Sequence, residues 1–276
     1  MKQTIDQGPT ASGETVPVCN YEGSNYRTDF WEGQGREYED AVERVALKAL
    51  LTAPGSGVKP QPAQGMGTSR LAPAQRLIEL GGGYGRLADL YGGFQQVILT
   101  DRAFTQVQQA RQRLGSDPRF GFVVADIYAL PFRAESAGHI ISVRMLHHLV
   151  DVPLAFTEIA RVVAAGGTYI TEFASKRHLK AIARHALGMQ HENPFAADPH
   201  EFAALNFDFH PRWMEAQLRK VGLVVDARRA VSHFRVGLLK RTVPVGVLVG
   251  ADRALQRIGG WWPWTPSIFV RARKQG

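Results

Sequence analysis

The sequence predicts an α/β fold, a mostly parallel sheet with helices on both faces and a ligand site at the carboxyl ends of its strands. Three observations lead there. The short apolar run Leu77-Ile78-Glu79-Leu80 meets a glycine cluster, Gly81-Gly82-Gly83-Tyr84-Gly85, with nothing between them. Short apolar runs then alternate with helix-period segments as far as residue 173. Acids close the next two runs, Asp101 and Asp126, so that with Glu79 three carboxylates stand near successive strand ends.

Taken in order, residues 1–20 are rich in Gly, Pro, Thr and Ser and show no period, which reads as a flexible leader. Tyr38, Ala41, Val42, Val45, Ala46, Ala49 and Leu50 recur at three and four and mark a helix over 37–51, preceded by the aromatics Tyr26, Phe30 and Trp31. Residues 53–75 carry Pro, Gly, Gln and Ser and read as a linker. The glycine cluster lets a ligand lie against bare backbone, and Leu87, Leu90 and Tyr91 beyond it have helical spacing, giving strand, turn and helix. Strands follow over 97–101, 120–126, 139–143 and 168–173, with helices over 103–114 and 153–163. Beyond these, 176–188 reads as helical, 193–208 as a loop-rich insertion, 211–221 as a helix with proline in its first turn, and 223–234 and 267–273 as closing strands. Between the closing strands, 236–266 holds Leu248, Ala251, Leu255 and Ile258 at helical spacing and then Trp261, Trp262 and Trp264.

Composition narrows the function classes. The chain has 276 residues, 45% hydrophobic and 21% charged, as in a globular protein with a sizeable core. No uncharged apolar run approaches the roughly 18 residues of a membrane span, and residues 1–18 lack a signal-peptide core, so a cytoplasmic protein is expected. The single cysteine, Cys19, excludes an internal disulfide and a thiolate-rich metal site. The formal charge of +8 is uneven: residues 211–276 hold 13 lysines and arginines against Glu215, Asp226 and Asp252, a local charge of +10. Such a face could meet nucleic acid or anionic lipid, but a solvated basic surface is the simpler account.

The pattern Glu79-x-Gly81-x-Gly83-x-Gly85 resembles the first motif of the class I S-adenosylmethionine-dependent methyltransferases, of the broad type 11 group. A dinucleotide fingerprint would need glycine at 86, where the chain has Arg86, which opposes NAD. The resemblance implies a Rossmann-like seven-stranded sheet whose last hairpin is antiparallel, an N-terminal lid helix over 21–52, a cofactor-binding domain over 76–235 and a C-terminal insertion over 236–266. It also implies S-adenosyl-L-methionine as cofactor and S-adenosyl-L-homocysteine as product. By the same resemblance Glu79, Gly81, Gly82, Gly83 and Gly85 serve the cofactor's methionine end. Asp101, with Arg102 beside it, takes the ribose diol, and Asp126 and Ile127 meet the adenine, with Tyr128 and Leu130 near that ring. The string Arg144-Met145-Leu146-His147-His148-Leu149 looks like the family's fourth motif and places the backbone of Arg144 near the sulfonium.

Methyl transfer from an activated donor needs positioning more than a protein nucleophile. A hydroxyl or acidic carbon acceptor also needs a base, for which His147 and His148 are the candidates, the alternative being that they pack or cap the next segment. His185, His191, His200 and His210 with neighbouring acids lack zinc-site spacing, so no metal is expected. The triplet Asn193-Pro194-Phe195 is similar to a motif of DNA amino-methyltransferases but follows the wrong strand. Candidate substrate contacts are Tyr26, Trp31, Tyr38, His148 and Trp213, which suit a small-molecule acceptor, aromatic or apolar with an anionic portion. A nucleic-acid methyltransferase or binder using the basic tail and an inactive cofactor-binding scaffold are the alternatives. The helix over 245–258 with Arg253 and Arg257 could lie on a membrane surface or simply pack on the sheet edge.

Overall fold

A computed structural model describes residues 4–9, 15–53, 72–259 and 264–276. Strands β1 (Thr4–Pro9) and β2 (Thr15–Asn20) are followed by a π-helical turn at Arg27–Trp31 and helix α1 (Glu37–Thr52). Then come β3 (Arg76–Leu80), β4 (Gln96–Asp101), α2 (Phe104–Leu114), β5 (Phe120–Val124), β6 (Ala137–Ser142), α3 (Val152–Val162) and β7 (Val163–Ala174). The chain continues through α4 (Leu179–Ala186), β8 (His200–Ala203), β9 (Asn206–Asp208), α5 (Pro211–Lys220), β10 (Leu223–Val231), α6 (Gly237–Thr242), α7 (Val245–Ile258) and β11 (Ser267–Lys274).

Seven strands form one sheet in the order β10-β11-β7-β6-β3-β4-β5, parallel from β7 to β5 and antiparallel at both pairings of β11. This is the expected α/β architecture. Side chains alternate across a strand, so β3 serves both faces: Ile78 joins a core with Phe156 of α3 and Leu218 of α5, while Leu77 joins one with Leu47 of α1, Ala110 of α2 and Leu248 of α7. A strand covered on both faces has no solvent side, which is why β3 and β6 are mostly apolar and their polar side chains Glu79, His139 and Ser142 are buried.

The structure departs from the sequence expectations at several places. Residues 4–9 and 15–20 are not a flexible leader but an antiparallel hairpin in full register, from Thr4 opposite Asn20 to Pro9 opposite Thr15. It is held because Val18 is buried in the core and bridges to Leu149, a contact that composition cannot reveal. No α-helix follows the glycine cluster, only a short 3₁₀ turn at Ala88–Tyr91. Gly85 has a φ of +80°, which interrupts helical backbone, although Leu87 and Tyr91 are still buried. The loop-rich insertion contains the small hairpin β8–β9. Helix α1 packs on the sheet with Val42, Ala46, Leu47 and Leu50 fully buried, and the residues before it, Tyr21 to Trp31, supply the roof over the site described below. Most of the linker, 54–71, and the tryptophans Trp261 and Trp262 lie outside the described residues.

Helix α7 is anchored rather than free. Asp252 is fully buried and accepts hydrogen bonds from the Tyr38 hydroxyl (2.7 Å), the His233 amide (2.8 Å) and Gln256 Nε2 (3.1 Å). Among the described residues no helix is long and apolar enough to cross a membrane.

Candidate active site

The chain leaves β3 toward β4 and β5 on one side and returns to β6 on the other. Connections therefore diverge above the carboxyl end of β3 and open a crevice, the usual ligand position in a doubly wound sheet. A cavity of about 120 Å³ lies there, floored by Glu79 and Gly81 to Gly83 and walled by Asp101, Asp126, Ile127, Arg144 and Met145.

The floor is glycine for steric reasons. Gly81 has a φ of +68°, and a Cβ there would stand 3.0 Å from the Met145 side chain. Beneath the next glycine, the Glu79 carboxylate is 3.3 Å from where a Gly82 Cβ would be. Glu79 is only 3% exposed, and burial pushes its carboxyl up to about 7. Its Oε2 has no hydrogen-bond partner among the described residues.

Asp101 at the end of β4 accepts the Gly83 amide at Oδ2 and the Ala103 amide at Oδ1, each at 2.9 Å. Burial raises its carboxyl to about 6 against the pull of those amides. This carboxylate thus fixes the glycine turn as well as facing the cavity. Asp126 is differently placed: Oδ2 is ion-paired with the Arg102 guanidinium, and Oδ1 accepts the Tyr128 amide at 3.0 Å. Arg102 also donates to the Gln7 carbonyl at 3.2 Å, which ties the hairpin to this wall.

The opposite wall is an ion network. Glu43 of α1 has a fully buried side chain and receives Arg86 Nη2 at 2.8 Å and Arg144 Nε at 2.7 Å. The Trp31 ring lies under both guanidinium groups, at 3.8 Å from Arg86 and 5.0 Å from Arg144. Arg144 has a φ of +56° and donates its amide to Glu172 Oε2 at 3.0 Å. Its side chain pairs with Glu43, and the residue borders the cavity.

Tyr21, Tyr26, Trp31 and His148 close the roof. His148 Nδ1 lies 3.2 Å from the Leu205 carbonyl, which can only accept, so the ring proton is on Nδ1. Nε2 therefore carries a lone pair and accepts the Tyr21 hydroxyl at 2.9 Å. Burial lowers His148 to about 4, so the ring is neutral at physiological pH.

Of the residues expected at the site, Glu79, Gly81, Gly82, Gly83, Asp101, Arg102, Asp126, Ile127, Arg144, Tyr26, Trp31 and His148 border one cavity, as does Leu130. Four do not. Gly85 is a packing position, where a Cβ would meet Leu114 Cδ1 of α2 at 2.6 Å. Tyr38 is 1% exposed and points at Asp252, Trp213 stacks on Phe209 at 5.7 Å, and His147 lies behind His148 at 4.0 Å between ring centroids. Tyr128 is likewise fully buried, its hydroxyl accepting the Asp151 amide. Val18, Cys19, Tyr21 and Gln106 border the cavity without having been singled out by sequence. Gln106 carried no signal, since a glutamine on a polar helix is ordinary. Tyr21 extends the aromatic series Tyr26, Phe30 and Trp31 and was hidden by its place next to the leader.

The cavity fits an adenosyl sulfonium at its acidic floor. An unpartnered buried Glu79 oxygen and an unpartnered buried Gln106 Oε1 await donors, and the cradle at Gly81 to Gly83 would be filled by any Cβ. At the adenine end the fit differs from expectation, because Arg102 already engages Asp126.

Comparison with known proteins agrees. Residues 78–171 match the family model described as a methyltransferase domain. The Haloferax volcanii protein solved in complex with the Trm112 methyltransferase activator is similar at 18% identity and a TM-score of 0.56, with 89% of this chain and 95% of that chain covered. An S-adenosylmethionine-dependent methyltransferase from Mesorhizobium loti has 17% identity and a TM-score of 0.54, covering 72% of this chain and 90% of that chain. Magnesium protoporphyrin IX methyltransferase from Synechocystis PCC 6803, solved with S-adenosyl-L-homocysteine, has 13% identity and a TM-score of 0.56 over 91% of this chain and 93% of that chain. These likenesses establish a common fold, and the family match falls on the segment from β3 to β7 that builds the cavity. Residues 78–171, which carry the glycine floor and the acidic strand ends, thus match a methyltransferase domain, and the chain shares the Rossmann-like fold of S-adenosylmethionine-dependent methyltransferases.

Proposed function

We propose that this methyltransferase modifies a small molecule, aromatic or apolar with an anionic portion, presented to the cofactor under the Tyr21-Tyr26-Trp31 roof. The observation that carries the reading is the roof itself: aromatic side chains from one segment converge with His148 over the cavity, which suits a compact acceptor. When bound, S-adenosylmethionine supplies a methyl group already activated on a sulfonium. Glu79 and Asp101 would hold its polar ends, and the Gly81 to Gly83 backbone would seat its chain. The Asp126–Arg102 pair would border the base, with Ile127 beside it. The roof excludes water and aligns the acceptor.

For a hydroxyl or acidic-carbon acceptor, the Tyr21 hydroxyl and His148 Nε2 form a ready proton path: the tyrosine takes the acceptor proton as it passes its own to the imidazole. His147, outside the cavity, takes no part in this path. The basic tail lends less to a nucleic-acid reading than its charge suggests. Arg228 pairs with Glu215, Arg271 and Arg273 with Asp226, Lys274 with Glu135 and Lys240 with Glu39.

The test is incubation with methyl-labelled S-adenosylmethionine and a cell extract fractionated into metabolites, nucleic acid and protein. Label is expected in metabolites; label confined to nucleic acid would overturn the acceptor class. Calorimetry with S-adenosyl-L-homocysteine and Asp101→Ala tests the cofactor half. An affinity loss of about tenfold or more is expected, the scale of a charge-assisted hydrogen bond.

A further inference from the structure

Beyond the Arg144 wall the residues change character. Phe30 stacks on Tyr26, a cavity residue, with ring centroids 5.2 Å apart and an interplanar angle of 10°. Its ring also carries the Arg36 guanidinium at 3.7 Å and the Arg144 guanidinium at 5.7 Å. Arg36 makes no ion pair or side-chain hydrogen bond to a carboxylate among the described residues. Burial, Arg144 and Arg235 all lower its pKa, in that order, and Glu39 only partly opposes them. Glu39 is itself taken by Lys240 Nζ at 2.8 and 3.1 Å, leaving Arg235 Nε at a loose 3.9 Å.

Arg235, just after β10, also acts electrostatically on His147, His178 and Asp208, which come from three further segments. Asp208 is a further acid on which it acts, and burial raises that carboxyl's pKa. Five segments thus converge on a pocket edge where guanidinium charge exceeds carboxylate charge, next to a stacked pair of aromatic rings. Two under-neutralised guanidinium groups, Arg36 half-buried on the Phe30 ring and Arg235 with its side chain 43% exposed, favour a planar anion between them.

The geometry points to an anion subsite between Arg36 and Arg235 that anchors the carboxylate or phosphate of the acceptor while its apolar body lies on Phe30 and Tyr26. This rests on the small-molecule reading above and names the residues that select the substrate's charged group. Neither arginine borders the cofactor cavity, so the subsite and the cofactor site can be perturbed separately.

The experiment titrates benzoate, phenyl phosphate and neutral benzamide into protein saturated with S-adenosyl-L-homocysteine, at fixed ionic strength, by calorimetry. At least one anion is expected to bind about tenfold more tightly than benzamide, and which one wins distinguishes a carboxylate from a phosphate acceptor. Arg36→Gln and Arg235→Gln are each expected to abolish that preference while S-adenosyl-L-homocysteine affinity stays unchanged. Arg36→Lys should restore part of it, which a merely structural arginine would not require. Equal binding of anions and benzamide, no saturable anion binding, or preference intact in either glutamine variant overturns the subsite. Loss of S-adenosyl-L-homocysteine binding by the unmodified protein would instead strike the cofactor reading. Because Arg36 and Arg235 lie on different elements, misfolding of one variant leaves the other to decide.

Discussion

At Glu79 a carboxylate 3% exposed sits under the glycine turn with one oxygen unpartnered. Its pKa, raised by burial from 4.5 to about 7, means that the folded state binds its proton more tightly than the unfolded state does. That contribution to stability is full below pH 4.5 and is lost as pH rises through about 7. His148 works with the opposite sign: lowered from 6.5 to about 4, it contributes stability above 6.5 that is lost as pH falls through about 4. Glu79→Gln removes only the first effect. Between pH 5 and pH 8 the cofactor-free variant should therefore gain on the unmodified protein by several degrees in unfolding temperature, from about 2–3 kcal/mol of relieved ionisation cost. A constant difference across that range would show that the carboxyl ionises freely. Saturating cofactor should reduce the effect, because a bound cation favours the charged carboxylate.

Among the elements, the β1–β2 hairpin has the largest consequence for the site. Val18 and Cys19 border the cavity, and Gly8 lies over the Arg102–Asp126 pair, where a Cβ would come within 2.4 Å of Asp126 Oδ2 and 3.0 Å of Arg102 Nη1. Gly8→Val should lift the hairpin from this wall. The expected result is an affinity loss for S-adenosyl-L-homocysteine worth about 1–3 kcal/mol, with the denaturation midpoint little changed. Unchanged affinity in calorimetry would mean that the hairpin only packs. Helix α1 has a matching role on the other wall, since Glu43 fixes Arg86 and Arg144 together. Breaking such a buried ion network by removing its shared acid is costly because Arg144 loses its ion-pair partner and Arg86 keeps Asp40 alone.

The whole molecule is closed by contacts distant in sequence. Tyr38 meets Asp252 across 214 residues and bonds the Phe234 amide at 3.0 Å, so α1, α7 and the end of β10 form one unit. Asp252→Ala strips the acceptor from the Tyr38 hydroxyl, the His233 amide and Gln256 together. A stability loss of about 3 kcal/mol or more is expected in urea titration, with the affinity of the folded fraction for S-adenosyl-L-homocysteine unchanged. A variant as stable as the parent would remove α7 from the core. This anchoring places the exposed Val247 and Ile258 on the outside of a packed helix rather than on a mobile arm.

Sequence alone determined the parallel strands, the glycine floor and the three acids, because each is written locally: apolar runs fit a doubly covered strand, and a strand end followed by glycine can only turn. Tertiary structure decided the rest. Whether Tyr38 faces a ligand or Asp252, whether Gly85 serves a cofactor or admits Leu114, and whether residues 4–20 are loose or paired depend on partners far along the chain. The Tyr21–His148 contact spans 127 residues and leaves no periodic trace in either segment. Side-chain direction at such positions is set by which surfaces the sheet brings together, a property of the packed molecule that no local stretch contains.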